Sequence, residues 1–235
     1  MCQDSTTVGV VIPVRNEAAS IALVLQDIPE VINTLVVVVD NGSTDETARI
    51  AQESGAVVLH EQIPGYGRVM SKGIGYFKDH PVGIVVFLDG DYSDYPQEML
   101  ELIEPIIKHE CDMVVSTRLN PFHANKSLPV HVVWGNKLVV FLMNLLFRTS
   151  YTDLGPFRAI RYDRLMQLHM EDTNYGWTVE MQVKAKLLGL EVREFPVRYR
   201  ERIGQSKISG TIKGSVLAGS KMLYTLLKLR LIPTV

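Results

Sequence analysis

Phe87-Leu88-Asp89-Gly90-Asp91 is an apolar run that ends in two carboxylates separated by one glycine. Carboxylates so spaced can be aimed at a single point, and their hard oxygens suit Mg²⁺ or Mn²⁺. Such an ion would neutralise a diphosphate and make it a better leaving group. The same residues also read as a turn with caps. A second cluster, Val39-Asp40-Asn41-Gly42-Ser43-Thr44-Asp45, favours the chemical reading, because two polar strand ends in one sheet share a crevice. The chain has no GxGxxG after its first apolar run, no GxxxxGK[ST], no GxSxG and no HExxH. Dinucleotide oxidoreductase, P-loop, α/β-hydrolase and zincin chemistries therefore lack their defining residues. The six histidines are scattered and form no ligand spacing.

The elements that must carry these clusters follow from periodicity. Val8–Ile12, Leu35–Val39, Ala56–Leu59, Ile84–Leu88 and Met113–Ser116 are short, β-branched apolar runs of the kind that form buried strands. Between them, Ile21 to Ile28, Thr47–Ser54, Arg68–Lys78 and Gln97–Glu110 have helical spacing, and Ser43 precedes Glu46 by the three residues of a capping box. Strands alternating with helices predict an α/β protein with a mostly parallel sheet flanked by helices, its ligands beyond the carboxyl ends of the strands. From Asn120 the pattern becomes irregular: a loop over Pro121–Pro129, an apolar helix Val132–Phe147, a strand Phe157–Arg161, a helix Tyr175–Leu188, a strand Glu191–Tyr199 and a closing helix Ile212–Leu231. With no repeat or linker, 1–235 reads as a single domain. It has a nucleotide-binding half (1–118), an irregular acceptor half (119–210) and a basic C-terminal helix (211–235).

Composition narrows the partners. With 24 Lys and Arg against 26 Asp and Glu, the net charge of −2 argues against a general nucleic-acid binder. Two cysteines, Cys2 and Cys111, fit a reducing, cytoplasmic compartment. The opening residues lack the basic start of a signal peptide. The apolar stretch Leu138–Phe147 spans ten residues where a membrane span needs about 20, so peripheral contact with the membrane face is expected. From Arg202 onward there are six basic residues and no acidic one, interleaved with leucines, a pattern that suits either a lipid surface or a helix packed on the core.

Several ordered motifs add a resemblance. Val11-Ile12-Pro13-Val14-Arg15-Asn16-Glu17, the Asp40 cluster and Asp89-Gly90-Asp91 resemble the inverting family-2 glycosyltransferases of the GT-A fold. Thr152-Asp153-Leu154-Gly155-Pro156-Phe157-Arg158-Ala159, Tyr175-Gly176-Trp177-Thr178-Val179-Glu180-Met181 and Arg202-Ile203-Gly204-Gln205-Ser206-Lys207 resemble the branch that contains dolichol-phosphate mannose synthases and other polyprenyl-phosphate glycosyltransferases. The resemblance covers about residues 8–215.

It implies that Pro13, Asn16, Glu17 and Asp40 hold the nucleoside of a sugar donor. Asp89, Gly90 and Asp91 would bind metal and diphosphate, Arg68 would approach the nucleotide, and Arg118, Arg158, Arg202 and Lys207 would serve donor and acceptor phosphates. Arginine forks suit phosphate oxygens. An inverting transfer to a sugar hydroxyl needs a carboxylate base, whereas a phosphate acceptor is already anionic and needs mainly positioning. Other family-2 enzymes commonly present an acidic pair near the start of the helix after residue 170. Here that helix offers one carboxylate, Glu180, to serve as base, orienting group or partner of Arg158, and Asp153 is the other acidic candidate. The absent pair favours a phosphate acceptor, and the resemblance then implies a metal-dependent transfer of a hexose from a nucleotide sugar to a polyprenyl phosphate. A soluble hydroxyl acceptor, a non-catalytic nucleotide-sugar binder and, with Arg15 as its only hint, a nucleotidyltransferase are the alternatives.

Overall fold

The structure is a computed structural model that describes residues 7–30, 33–118, 130–204 and 212–232. Seven strands form one sheet in the order β3-β2-β1-β4-β6-β5-β7. They are β1 (Val8–Val14), β2 (Thr34–Asp40), β3 (Val57–His60), β4 (Ile84–Phe87), β5 (Met113–Thr117), β6 (Arg158–Arg161) and β7 (Val192–Pro196). All neighbours are parallel except at β6, which runs antiparallel to both β4 and β5. The α/β expectation and the mostly parallel sheet are thus observed.

Period-2 alternation decides which helices cover which face. Val8, Val10, Ile12, Ile84 and Val86 point to the face covered by α1 (Ile21–Gln26), α2 (Thr47–Glu53) and α4 (Met99–Ile107). Val11, Val37, Val39, Val85 and Phe87 point to the other. There α3 (Tyr66–Tyr76), α5 (Val130–Phe147), α6 (Tyr162–Gln167), α7 (Trp177–Leu187) and α8 (Ile212–Leu231) build the larger core around the buried Trp177.

Three local expectations change. The short helix α6 has too few residues to show a period. A 3₁₀ turn, Pro96–Glu98, opens the helix expected from Gln97. Ser43 does not close a capping box: its hydroxyl bonds to Asp40, and Asp45 takes over by accepting the Thr47 N–H at 3.1 Å.

The helix α5 is longer than the ten-residue apolar stretch read from the sequence. It has 18 residues with a mean hydropathy of 1.6, long and apolar enough to cross a membrane by length and composition. Two of its polar side chains nevertheless face the protein. Asn136 donates to Asp153 at 2.6 Å and Asn144 to the Tyr151 carbonyl at 2.8 Å, while Val139, Val140 and Met143 are buried. Val130, Trp134, Leu138, Phe141 and Leu145 recur every three or four residues along the opposite side, and all are exposed. Val216, Leu217, Tyr224, Leu227 and Leu231 of the adjoining α8 are exposed as well. Two of the α8 cations are engaged internally: Lys221 with Asp172 at 2.8 Å and Lys228 with Glu171 at 3.0 Å.

Candidate active site

The carboxyl ends of β1, β2 and β4 open onto a cleft of about 430 Å³. Pro13, Val14, Arg15 and Glu17 form its β1 side, Asn41 its β2 side, and Asp89, Gly90, Asp91 and Arg202 its floor. Gly65, Tyr66, Asn174 and Tyr175 close it opposite. Gly90 is required by proximity: a Cβ there would lie 2.6 Å from Val14 Cγ1 and 3.1 Å from the Pro13 carbonyl. Because the ends of β4 and β1 come this close, the acidic loop sits directly beside the loop that bears Arg15 and Glu17.

The electrostatics of the floor suit a cation. Burial, and then the neighbouring Asp91, push the Asp89 carboxyl up to about 7, with Arg202 opposing them. Asp91 is buried; one oxygen accepts from the Ser93 N–H at 2.9 Å and the other meets Arg202 at 2.6 Å. Asp94 lies fully buried behind them with no hydrogen-bond partner on either carboxyl oxygen. Burial, then Asp89 and Asp91, raise its pKa well above the usual range. Crowded carboxylates with so little compensating charge fit a divalent ion held by Asp89 and Asp91, both hard oxygen donors. Their backing loop is fastened by Arg200, whose guanidinium stacks on Tyr92 at 3.2 Å and bonds to the carbonyls of Tyr92 and Asp94. Ile203 N–H donates to the Asp91 carbonyl at 3.0 Å, which carries Arg202 to the acidic pair.

Asn16 and Asp40 do not line the cleft; they build its rim. The Asn16 carboxamide accepts from the Thr44 N–H at 2.7 Å, and Asp40 accepts from the Ser43 N–H at 3.1 Å. Arg68 is exposed and outside the lining, because α3 starts two residues earlier than expected and turns Gly65 and Tyr66 inward instead. Lys207 lies outside the described residues.

A second cavity of about 270 Å³ adjoins the first between α5, α7 and α8. Its wall is mainly apolar, with Val132, Val139, Leu154, Ala218 and Met222; Arg118, His131 and Thr178 add polar groups, and Asp89 is its only carboxylate among the described residues. Arg118 is fixed by Asp153, which accepts from its Nε at 2.8 Å and its second guanidine nitrogen at 2.9 Å. Asp153 also takes the Arg118 and Leu154 backbone N–H groups and Asn136. Burial alone would raise the Asp153 pKa, but Arg118 and these donors hold it below the ordinary value.

Three residues expected in the chemistry are therefore structural. Asp153 is completely buried and saturated with donors. Glu180 accepts from the backbone N–H groups of Glu171 and Asp172 at 2.9 and 2.7 Å and pairs with the buried Lys184 at 2.9 Å, so its partner is not Arg158. Arg158 lies opposite Phe87 and Val115 in the sheet interior, reaches neither cavity, and spends its guanidinium on the carbonyls of Gly155, Pro156 and Thr178. Burial lowers its pKa. Sequence reasoning missed Tyr66 and Tyr175, which line both cavities; the glycines around Tyr66 were the available signal.

Known proteins extend these observations. The chain is 33% identical over 225 residues, 93% of its length and 96% of the relative's, to an uncharacterized glycosyltransferase of Mycobacterium tuberculosis. It is 30% identical over 218 residues, 90% and 91% of the two chains, to a dolichyl-phosphate hexose transferase of Haloferax volcanii. A solved structure of glucosyl-3-phosphoglycerate synthase from M. tuberculosis with Mn²⁺, UDP and phosphoglyceric acid superposes with a TM-score of 0.76 at 22% identity, covering 96% of this chain and 78% of that one. Another crystal of that enzyme holds Mg²⁺ and UDP. The fold is thus the GT-A fold expected from the motifs. The family model described as Glycosyl transferase family 2 matches residues 9–168, well over half the chain, and the protein belongs to that family of glycosyltransferases.

Proposed function

We propose that this glycosyltransferase moves a hexose, mannose or glucose, from a GDP- or UDP-linked donor to a polyprenyl or dolichyl phosphate, with inversion. The observation that carries this reading is the second cavity. It is mainly apolar, bears the fixed cation Arg118, joins the strand-end cleft at Asp89, and, among the described residues, offers no carboxylate other than Asp89, which this reading assigns to the metal, to act as a base toward a hydroxyl. A phosphate monoester needs none: one of its oxygens is already a nucleophile, and positioning with charge balance supplies the rest.

In this reading Pro13, Glu17 and Asn41 border the nucleoside, and Asp89 and Asp91 hold Mg²⁺ or Mn²⁺, which neutralises the departing diphosphate when bound. Arg202 moves from Asp91 to the donor phosphates, and Arg118 receives the acceptor phosphate. Asn16 and Asp40 shape the donor rim, while Asp153 and Glu180 orient the acceptor side. The bare stripe of α5, with Trp134 69% and Phe141 62% exposed, supports a peripheral seat on a membrane. A lipid acceptor would reach the cavity between α5 and α8 from that seat.

The test is extraction. Membranes containing polyprenyl phosphate are incubated with the protein, Mn²⁺ and labelled UDP-glucose or GDP-mannose. Label entering the organic phase is the expected result. Label appearing only in water-soluble glycoside would reject the lipid-phosphate acceptor.

A further inference from the structure

The two cavities meet at one place. Among the described residues, Tyr66, Asp89 and Tyr175 are the only side chains that line both. If donor diphosphate and acceptor phosphate occupy the separate cavities, the carbon that changes partner must lie at this junction. The two tyrosine hydroxyls have no hydrogen-bond partner among the described residues, so each has a donor and an acceptor available there.

The segments that carry the two tyrosines are also locked to each other. Gly65 and Gly67 flank Tyr66, and a Cβ at either would meet backbone of the opposing loop, Thr173 O at 2.4 Å and Asp172 O at 1.9 Å. Arg68 N–H donates to the Thr173 carbonyl at 3.2 Å across the same seam. Beneath it the Tyr66 ring packs edge-on against Trp177, with centroids 6.0 Å apart. On the far side Asp172 accepts from the backbone N–H groups of Asn174 and Gly176, and Glu180 holds the Glu171 and Asp172 amides, so the turn that presents Tyr175 is fully tied. Only glycine on both sides of Tyr66 permits this approach, which explains the Gly65-Tyr66-Gly67 spacing.

We infer that Tyr66 and Tyr175 form the sugar-holding gate between the two cavities, hydrogen-bonding the transferred hexose and keeping water from its anomeric carbon. This rests on the transferase reading above. In productive transfer an acceptor phosphate oxygen bonds to the anomeric carbon as the sugar–diphosphate bond breaks, its electron pair leaving on the nucleoside diphosphate. In the competing hydrolysis water supplies the oxygen, and its proton passes to solvent. Holding the sugar in line while excluding water separates the two outcomes.

The experiment compares Tyr175→Ala, Tyr175→Phe and Tyr66→Phe with the parent chain. The last keeps the ring on Trp177 and removes only the hydroxyl. Binding with Mn²⁺ is measured for UDP against UDP-glucose and for GDP against GDP-mannose, and donor hydrolysis is followed without acceptor. Nucleoside diphosphate affinity and melting temperature should stay within about twofold and a few degrees of the parent, while affinity for the sugar-bearing donor falls about fivefold or more per lost hydrogen bond. The share of donor lost to water should rise several-fold in Tyr175→Ala. Equal losses for diphosphate and sugar donor would overturn the gate, as would an unchanged sugar increment with unchanged hydrolysis. These readouts need no acceptor, so a parent enzyme that never labels lipid would reject the acceptor assignment and leave the gate to be judged by binding.

Discussion

The strand-end cleft and the second part of the chain treat their carboxylates in opposite ways. At the ends of β1 and β4, Asp89, Asp91 and Asp94 crowd together with Arg202 as their one ion-pair partner among the described residues, and two are pushed toward the protonated form. In the second part of the chain Asp153, Asp172 and Glu180 are each saturated by amides and cations. A carboxylate left in want of charge is poised for a ligand, whereas one fully supplied is scaffold. Residue type alone does not separate the two.

The contrast is sharpest if it survives substitution. Asp91→Ala should lower kcat/KM by at least about a thousandfold, some 4 kcal/mol of transition-state stabilisation, with the melting temperature preserved. Full activity at saturating Mn²⁺ would remove Asp91 from the metal site. Asp153→Ala should act on stability instead, costing about 3–5 kcal/mol in urea unfolding at pH 7 by stranding a buried guanidinium. Because the folded-state pKa of Asp153 lies below its unfolded value, this contribution is complete above the unfolded pKa and is lost as the pH falls through the folded one. The gap between parent and variant should therefore close below about pH 4. A gap that stayed constant down to pH 3 would contradict the ion pair.

Smaller effects test the periphery. Trp134→Ser should weaken binding to anionic vesicles about tenfold or more, as loss of about 2 kcal/mol of apolar burial requires, without changing donor hydrolysis. Unaltered vesicle binding would take α5 out of the membrane seat. The least change is expected in catalysis by Glu180→Gln: among folded molecules kcat/KM should remain within about twofold and its acidic limb should not move. Loss of that limb would make Glu180 a base after all.

The strands were legible because β-branched runs such as Leu35–Val39 and Ile84–Leu88 have few alternatives, and Ile212–Leu231 has the bounds its spacing predicts. The acidic strand ends were legible for the same reason: a polar cluster that directly follows a buried strand must emerge at its end. Asp153, Glu180 and Arg158 were not, since their roles depend on partners far away in sequence, such as Arg118 for Asp153, and on burial that no local pattern encodes. Arg68 failed by one helical start, and Ser43 because Asp40 competes for its hydroxyl.

The antiparallel strand β6 has one more consequence. It lies between β4 and β5, and β7 completes the far edge, so β5, which precedes residue 118, finds both neighbours in strands that follow it. A cut after residue 118 would leave β5 with no partner strand and β4 with a bare edge. The two parts of the chain are thus not interchangeable modules. Exchanging residues 1–118 for the same stretch of another chain would therefore have to rebuild the strand order that both parts of the sequence share.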